Sequence, residues 1–265
     1  METKTPRIPQ EIIDKILDHL STIDPLLEYL PLCALVSKSW VSSCRRHLFR
    51  TATFTPEDMA KWLKMFPVPE EGPAHHVRDL RFTTGWNRFP QRPLEYISWF
   101  TNVERVDLLL YGGPRSQAPS LGRLPQSIIS LTLDTDAITL LQIRDIMTQL
   151  PNLDNLSLSG SPAEMGRNAS QGLMGAAPIA RFRGQLELLD RYAREDVINM
   201  LLEVPTGLWF TEIEIRGWNV HLPSAASLAE VCRKTLVKLA YGDFKHGKSH
   251  PFLWSSRFQR VRCYS

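Results

Sequence analysis

Arg7-Ile8-Pro9-Gln10-Glu11-Ile12-Ile13-Asp14-Lys15-Ile16-Leu17-Asp18-His19-Leu20 opens a stretch, running to Phe54, with more apolar side chain than so short a segment buries alone. After Pro9, a first-turn residue, Ile12, Ile13, Ile16, Leu17 and Leu20 fall at i, i+1, i+4, i+5 and i+8, a wide stripe at helical period. Asp24-Pro25, a cap followed by a first-turn proline, opens a short second helix with Leu26, Leu27 and Leu30. Pro31 opens a third, with Leu32, Leu35, Val36, Trp40 and Cys44 on one side and Arg45-Arg46 at its basic end. Below roughly 70 residues such a bundle has a thin core. Part of the stripe is therefore expected to face a partner.

Ile8-Pro9-x-Glu11-Ile12-Ile13-x-x-Ile16-Leu17-x-x-Leu20, then Leu35-Val36-Ser37-Lys38-x-Trp40 and His47-Leu48-Phe49-Arg50, resembles the F-box. Ile8 stands where leucine is usual, and the stretch between Leu20 and Val36 is longer than in many members. The resemblance implies docking on the Skp-type adaptor of a cullin–RING ubiquitin ligase. It implies that Ile8, Pro9, Ile12, Ile16, Leu20, Leu35, Val36 and Trp40 make the adaptor contact. The stripes alone also fit an ordinary small helical bundle.

The 265 residues allow one large domain or two smaller ones, and 43% apolar with 22% charged residues reads as globular. A net charge of +3 is too small to argue for nucleic acid or an acidic membrane as partner. No apolar run approaches the roughly 20 residues of a membrane span, and Met1-Glu2-Thr3-Lys4 lacks a signal peptide's apolar core. Cys33, Cys44, Cys232 and Cys263 are scattered without a C-x-x-C, which argues against zinc and against a disulfide framework. Cytoplasm or nucleus is the expected compartment. In that setting the sequon Asn168-Ala169-Ser170 is expected to be inert.

Thr55-Pro56-Glu57-Asp58 starts a helix carrying Met59, Trp62, Leu63 and Phe66, and Pro67–Pro73 reads as a linker. Beyond it the pattern apolar-x-x-apolar-x-apolar recurs. Its middle positions are Leu80, Val106, Leu131, Leu156, Leu186, Ile213, Leu239 and Val261, stepping by 26, 25, 25, 30, 27, 26 and 22 residues. Such spacing marks stacked units, each a short strand with a returning helix. The copy at Leu186 is degenerate, with Arg183 where an apolar residue belongs. Helical stretches are expected at Leu94–Phe100, Leu140–Leu150, Asp196–Leu202 and Leu228–Val231, and Ser159–Ala180 reads as an insertion. The tract resembles an irregular leucine-rich repeat without the asparagine ladder of regular members. A non-repeating α/β domain is the other reading.

The expected fold class is α+β, a small three-helix head followed by an irregular α/β leucine-rich-repeat-like solenoid. Residues 1–6 read as a flexible tail, 7–54 as the head, 55–73 as linker helix and Pro/Glu-rich linker, and 74–265 as the repeat tract. The end of the sequence two residues after the last repeat strand suggests a longer natural protein or an oligomeric contact.

Gly242-Asp243-Phe244-Lys245-His246-Gly247-Lys248-Ser249 matches the phosphate-binding loop pattern after an expected strand. Such a loop needs a following helix, and Pro251 removes an amide there. It therefore reads as a turn. No G-x-S-x-G or H-E-x-x-H occurs, and His75-His76 lacks a third ligand, so no catalytic residue, metal or cofactor is expected. Residues between the buried strand positions share the opposite face, and Asp107, Asp134, Glu187, Glu212 and Glu214 are candidate substrate contacts there. Charge in that row is expected to segregate, acids in the middle and Lys238, Arg260 and Arg262 at the end. A merely solvated face is the other reading. Trp86, Tyr111 and Trp218, at strand exits, read equally as interface anchors or core caps. The resemblance implies a non-catalytic recruiting subunit for an unknown protein substrate. The alternatives are an adaptor-binding protein with no degradation substrate and, through Gly242–Ser249, a nucleotide-binding protein.

Overall fold

The computed structural model describes residues 8–23, 28–68, 72–85, 95–111, 124–135, 143, 146, 149–160, 183–189, 195–202, 208–217 and 222–243. Three helices make the head: α1 (Gln10–Ile23), α2 (Tyr29–Val36) and α3 (Lys38–Leu48). The Pro9 carbonyl accepts from the Ile12 and Ile13 amides, so the proline sits just outside α1. Pro31 does not open a helix of its own. It lies in the first turn of α2, where a missing N–H breaks no bond. The break falls instead at Ser37, extended at φ −159° and ψ 149°, whose hydroxyl oxygen accepts from the Ser39 amide and caps α3.

Among the described residues the buried apolar side chains of the head are Ile13, Leu17, Leu30 and Cys44, with Leu20, Cys33, Ala34, Trp40 and Leu48 packed against them. Polar contacts add to this thin core. The Asp14 carboxylate on α1 accepts from Ser43 Oγ on α3 and from Gln10 Nε2, and Asp18 pairs with Arg46 at 3.1 Å.

Eight strands follow: β1 (Thr51–Phe54), β2 (Asp79–Gly85), β3 (Arg105–Tyr111), β4 (Ser130–Thr135), β5 (Asn155–Ser159), β6 (Arg183–Leu189), β7 (Trp209–Gly217) and β8 (Lys238–Asp243). They form one sheet in chain order, every pair parallel. The repeat positions are hydrogen-bonded neighbours. Ala52, Leu80, Val106, Leu131, Leu156, Leu186, Ile213 and Leu239 form one row, and Phe54, Phe82, Leu108, Leu133, Leu158, Leu188, Ile215 and Tyr241 a second. The described connections cover the same side of the sheet. Met59 and Trp62 of α4 (Pro56–Met65), Ile97 and Phe100, Ile143 and Ile146, Val197 and Leu201 of α5 (Glu195–Leu202), and Leu228 of α6 (Leu222–Val231) share one core with both rows. Among the described residues the opposite face is mostly polar, and no described element covers it. This departs from the two-sided burial usual in parallel sheets, and a strand order that follows the chain order makes it feasible.

Two boundaries differ from the sequence reading. Thr51–Phe54, read as the end of the head, pairs with Asp79–Phe82 and is the sheet's first strand. The helix read as a linker is part of the sheet's core. Trp62 meets Phe54 edge-on at 5.2 Å, Phe49 at 6.2 Å and Phe66 at 4.9 Å, joining the end of the head to the sheet.

The strands are also stitched where they begin. One carbonyl in each of four successive copies accepts two amides of the next: Arg50 from Arg78 and Asp79, Arg78 from Glu104 and Arg105, Glu104 from Ile129 and Ser130, Ile129 from Asp154 and Asn155. Polar side chains just before the strands reach back in the same way. Asn102 Nδ2 donates to the His75 carbonyl, Ser127 Oγ to Thr101 and Val103, Asn152 Nδ2 to Gln126, and Thr235 Oγ1 to Phe210. A cross-copy polar ladder of mixed residue types thus precedes several of the strands, distinct from the asparagine ladder of regular repeats. The degenerate copy has its own device. Gly184 sits at φ +99°, and the β6–β7 register slips by one residue between Gly184 and Gln185.

Candidate functional site

The head presents an apolar surface that its own core does not use. Ile12 and Ile16, one turn apart on α1, are exposed, as are Ile8 and Pro9 ahead of it. At the end of α2, Leu35 is 83% and Val36 67% exposed. Leu20 and Trp40 differ from these six, since both are half-buried against the head core. Leu32, Tyr29 and Ile23 are also exposed, and their helical stripe was the signal that could have added them to the candidates.

The Asp14–Ser43–Gln10 cluster holds α1 on α3, and those hydrogen bonds keep the Asp14 carboxyl below its ordinary value, Ser43 contributing most. The Asp58 carboxyl is likewise held down, chiefly by Thr55, which caps α4. Their folded values lie below the unfolded ones, so their stabilisation is complete above about pH 4 and is lost as pH falls through the lowered values. Melting temperature followed from pH 6 to 2 should drop below about pH 4, and Asp14→Asn with Asp58→Asn should flatten that drop. An unchanged acid profile in the double variant would contradict this.

On the open face of the sheet, three of the five candidate acids, Asp107, Glu212 and Glu214, have a cation beside them, so the described part of the row is not segregated by charge. Asp107 accepts from Arg81 Nε and Nη2 at 3.1 and 2.9 Å, and Asp79 lies 3.4 Å from Arg105. Glu212 pairs with Lys238 at 3.2 Å, Glu214 with Arg216, and Glu187 accepts from Ser157 Oγ. Parallel register sets Asp107 beside Arg81 and Glu212 beside Lys238, neighbours that local counting cannot show. Asp134, half-buried on β4, is in contact with its surroundings too. Trp86, Trp218, Arg260 and Arg262 lie outside the described residues, as does the Tyr111 side chain. Of Gly242–Ser249, only Gly242 and Asp243 are described, and both belong to β8.

Where β4 to β7 begin, a broad hollow of about 710 Å³ is lined by Ser127, Ile129, Asn152, Asp154, Arg183 and Thr211 among others. The Ser127 and Thr211 hydroxyls and the Asn152 amide in it are engaged with backbone carbonyls. Burial pushes the Cys44 and Cys232 thiols up, away from the reactive thiolate. No group of His, Cys, Asp and Glu side chains suited to a metal occurs among the described residues. Nor is any described helix long and apolar enough to cross a membrane.

No curated protein matches the chain. A family model of the F-box domain matches residues 6–51, the segment that holds α1, α2, α3 and the first residue of β1. The chain therefore carries an F-box domain, which implies an adaptor-binding subunit of Skp–cullin–F-box ligases.

Proposed function

We propose that this chain is a non-catalytic, substrate-recruiting subunit of a Skp–cullin–F-box ubiquitin ligase, acting in the cytoplasm or nucleus. The head docks on the Skp-type adaptor, and the sheet, as an irregular leucine-rich-repeat solenoid, offers its open face to a protein substrate. The observation that carries the reading is the uncovered apolar set Ile8, Pro9, Ile12, Ile16, Leu35 and Val36 inside the F-box match. Apolar clusters left in water mark interaction sites. Trp40, half-buried, contributes by fixing the surface as much as by contact. The solenoid part is supported by parallel strands in chain order, in register, at steps of 25 to 30 residues through β8. On the open face, Asp107, Asp134, Glu187, Glu212 and Glu214 are the proposed substrate contacts. Because three of these acids carry cationic partners, they recognise by alternating charge and steer a partner's orientation more than they add affinity.

Two variants of the full chain test the two halves separately. Ile12→Asp places a charge in the docking surface at an exposed position, so the head should stay folded. Adaptor affinity should fall about 30-fold or more, the loss expected of an interface centre. Glu212→Lys with Glu214→Lys should leave adaptor affinity unchanged and weaken capture of ubiquitylated partners in cells. Unchanged adaptor binding by a folded Ile12→Asp protein would refute the docking surface. Equal capture by the charge-reversed protein would remove the open face from the reading.

A further inference from the structure

Between the head and the first strands lies a cavity of about 150 Å³, lined by Arg45, Phe49, Phe66, Gly72, Pro73, His75 and His76. Three separate elements meet there. Arg45 comes from the last turn of α3, Phe49 and Phe66 from the ends of α3 and α4, and the histidines from the 3₁₀ turn Pro73–His76. The turn is held from below. Asn102 Nδ2 donates to the His75 carbonyl, and His75 Nδ1 lies 3.0 Å from the Gly72 carbonyl oxygen, consistent with its donating there. With Nδ1 donating there, the ring's other nitrogen can donate to an anion once the ring is protonated. The two imidazole rings lie with centroids 3.9 Å apart.

Among the described lining residues Arg45 carries the charge, and two further arginines lie close by. Arg46 and Arg78 stand near it but have acidic partners, Asp18 and Glu104 at 3.1 Å each. Among the described residues Arg45 has no acidic partner, and none of the described residues lining the cavity is a carboxylate. We propose that this junction is a binding site for a small phosphate-type dianion, held by Arg45, His75 and His76 against the apolar wall of Phe49, Phe66 and Pro73. The size decides between ligands of this charge class. About 150 Å³ admits one phosphate group with the carbon that bears it, and excludes a nucleotide or a polyphosphate from full enclosure. Guanidinium and imidazolium donors converging on one point are the usual means of holding such a group.

The site has an expected pH dependence. Burial first, then His75, Arg45, Arg46 and Arg78, hold the His76 pKa below its ordinary value, so the empty site resists a further positive charge. A bound dianion opposes those cations and favours the protonated ring, so affinity should rise as pH falls from 8 to 6. Because the lining comes from the end of α3 in the head and from the end of α4 and the turn before β2, occupancy should also stabilise the contact between these segments.

The test uses the full chain, with inorganic phosphate and separately phenyl phosphate as probes, against chloride at equal ionic strength. Binding is followed by calorimetry and by melting temperature. The expected result is saturable phosphate binding, about tenfold tighter at pH 6 than at pH 8 when expressed per concentration of the dianion, since phosphate itself takes up a proton across that range. Arg45→Gln, a change at an exposed position, should weaken it about tenfold or more, as loss of one charge-assisted contact requires. His76→Gln should remove most of the pH dependence. Tighter binding of phenyl phosphate than of phosphate would identify a carried ester, and the reverse the free ion; either supports the site. An equal response to chloride, or full phosphate affinity in Arg45→Gln, would overturn it. A response seen only after Glu70→Gln and Glu71→Gln would overturn it as well, since the cations would then serve the chain's own carboxylates.

Discussion

Trp62→Ala is expected to destabilise the protein by about 3–5 kcal/mol, the range for removing a large buried aromatic. The indole packs against Phe49 from the head, Phe54 from β1, Phe66 from its own helix end and Phe100 from beneath β3. Those four rings belong to successive segments that cannot all move inward to refill the space. Edge-to-face pairs such as Trp62–Phe54, with planes 82° apart, add to the loss beyond the buried area. Denaturant unfolding should show the midpoint shift, and Trp62→Phe should recover a large part of it. The same variant should loosen the head from the sheet, read as faster hydrogen exchange in Arg50–Phe54. A loss below about 1 kcal/mol, the size of an ordinary surface change, would mean that α4 is not the joint described here.

Gly184→Ala should cost about 3 kcal/mol or more, a large effect for one methyl group. Two causes act together. At φ +99° an L side chain is strained before any contact is considered. An added Cβ would also lie 2.0 Å from the Asp154 carbonyl oxygen, backbone that cannot swing aside. That carbonyl accepts the Gln185 amide at 2.6 Å, so relief requires moving the β5–β6 junction itself. Gly242→Ala supplies the control. Its Cβ would meet Arg216 Cγ at 3.4 Å, an ordinary contact with a flexible side chain, and its cost should stay within about 1 kcal/mol. Similar melting temperatures for the two variants would show that the β6 crossing does not depend on glycine.

Much of the architecture was legible in the chain because it is written in short-range periodicity. The i, i+4 stripe of Ile12, Ile16 and Leu20 and the alternation at Leu80 and Phe82 record which face of a helix or strand meets a core. Steps of 25 to 30 residues then bring equivalent positions into hydrogen-bonded rows from Leu80 to Leu239 without knowledge of the partner strand. The exposed apolar positions on the head were legible for the same reason, more of them being present than a three-helix core can enclose.

Other features were decided only by assembly in three dimensions. Thr51-Ala52-Thr53-Phe54 is too short to declare itself a strand, and becomes one because Asp79–Phe82 offers it a partner edge. Trp62 sits in a stretch that ends in Pro, Glu and Gly, and composition could not reveal that three segments converge on its ring. Asp107 and Glu212 looked free until stacking set Arg81 and Lys238 beside them. Gly184 was one glycine among 14 until the Asp154 carbonyl passed against its α-carbon. Periodicity is a property of neighbours along the chain, so the sequence alone determined faces and repeats. Contacts between residues some 26 or more positions apart depend on how the strands register, and only the tertiary structure could decide them.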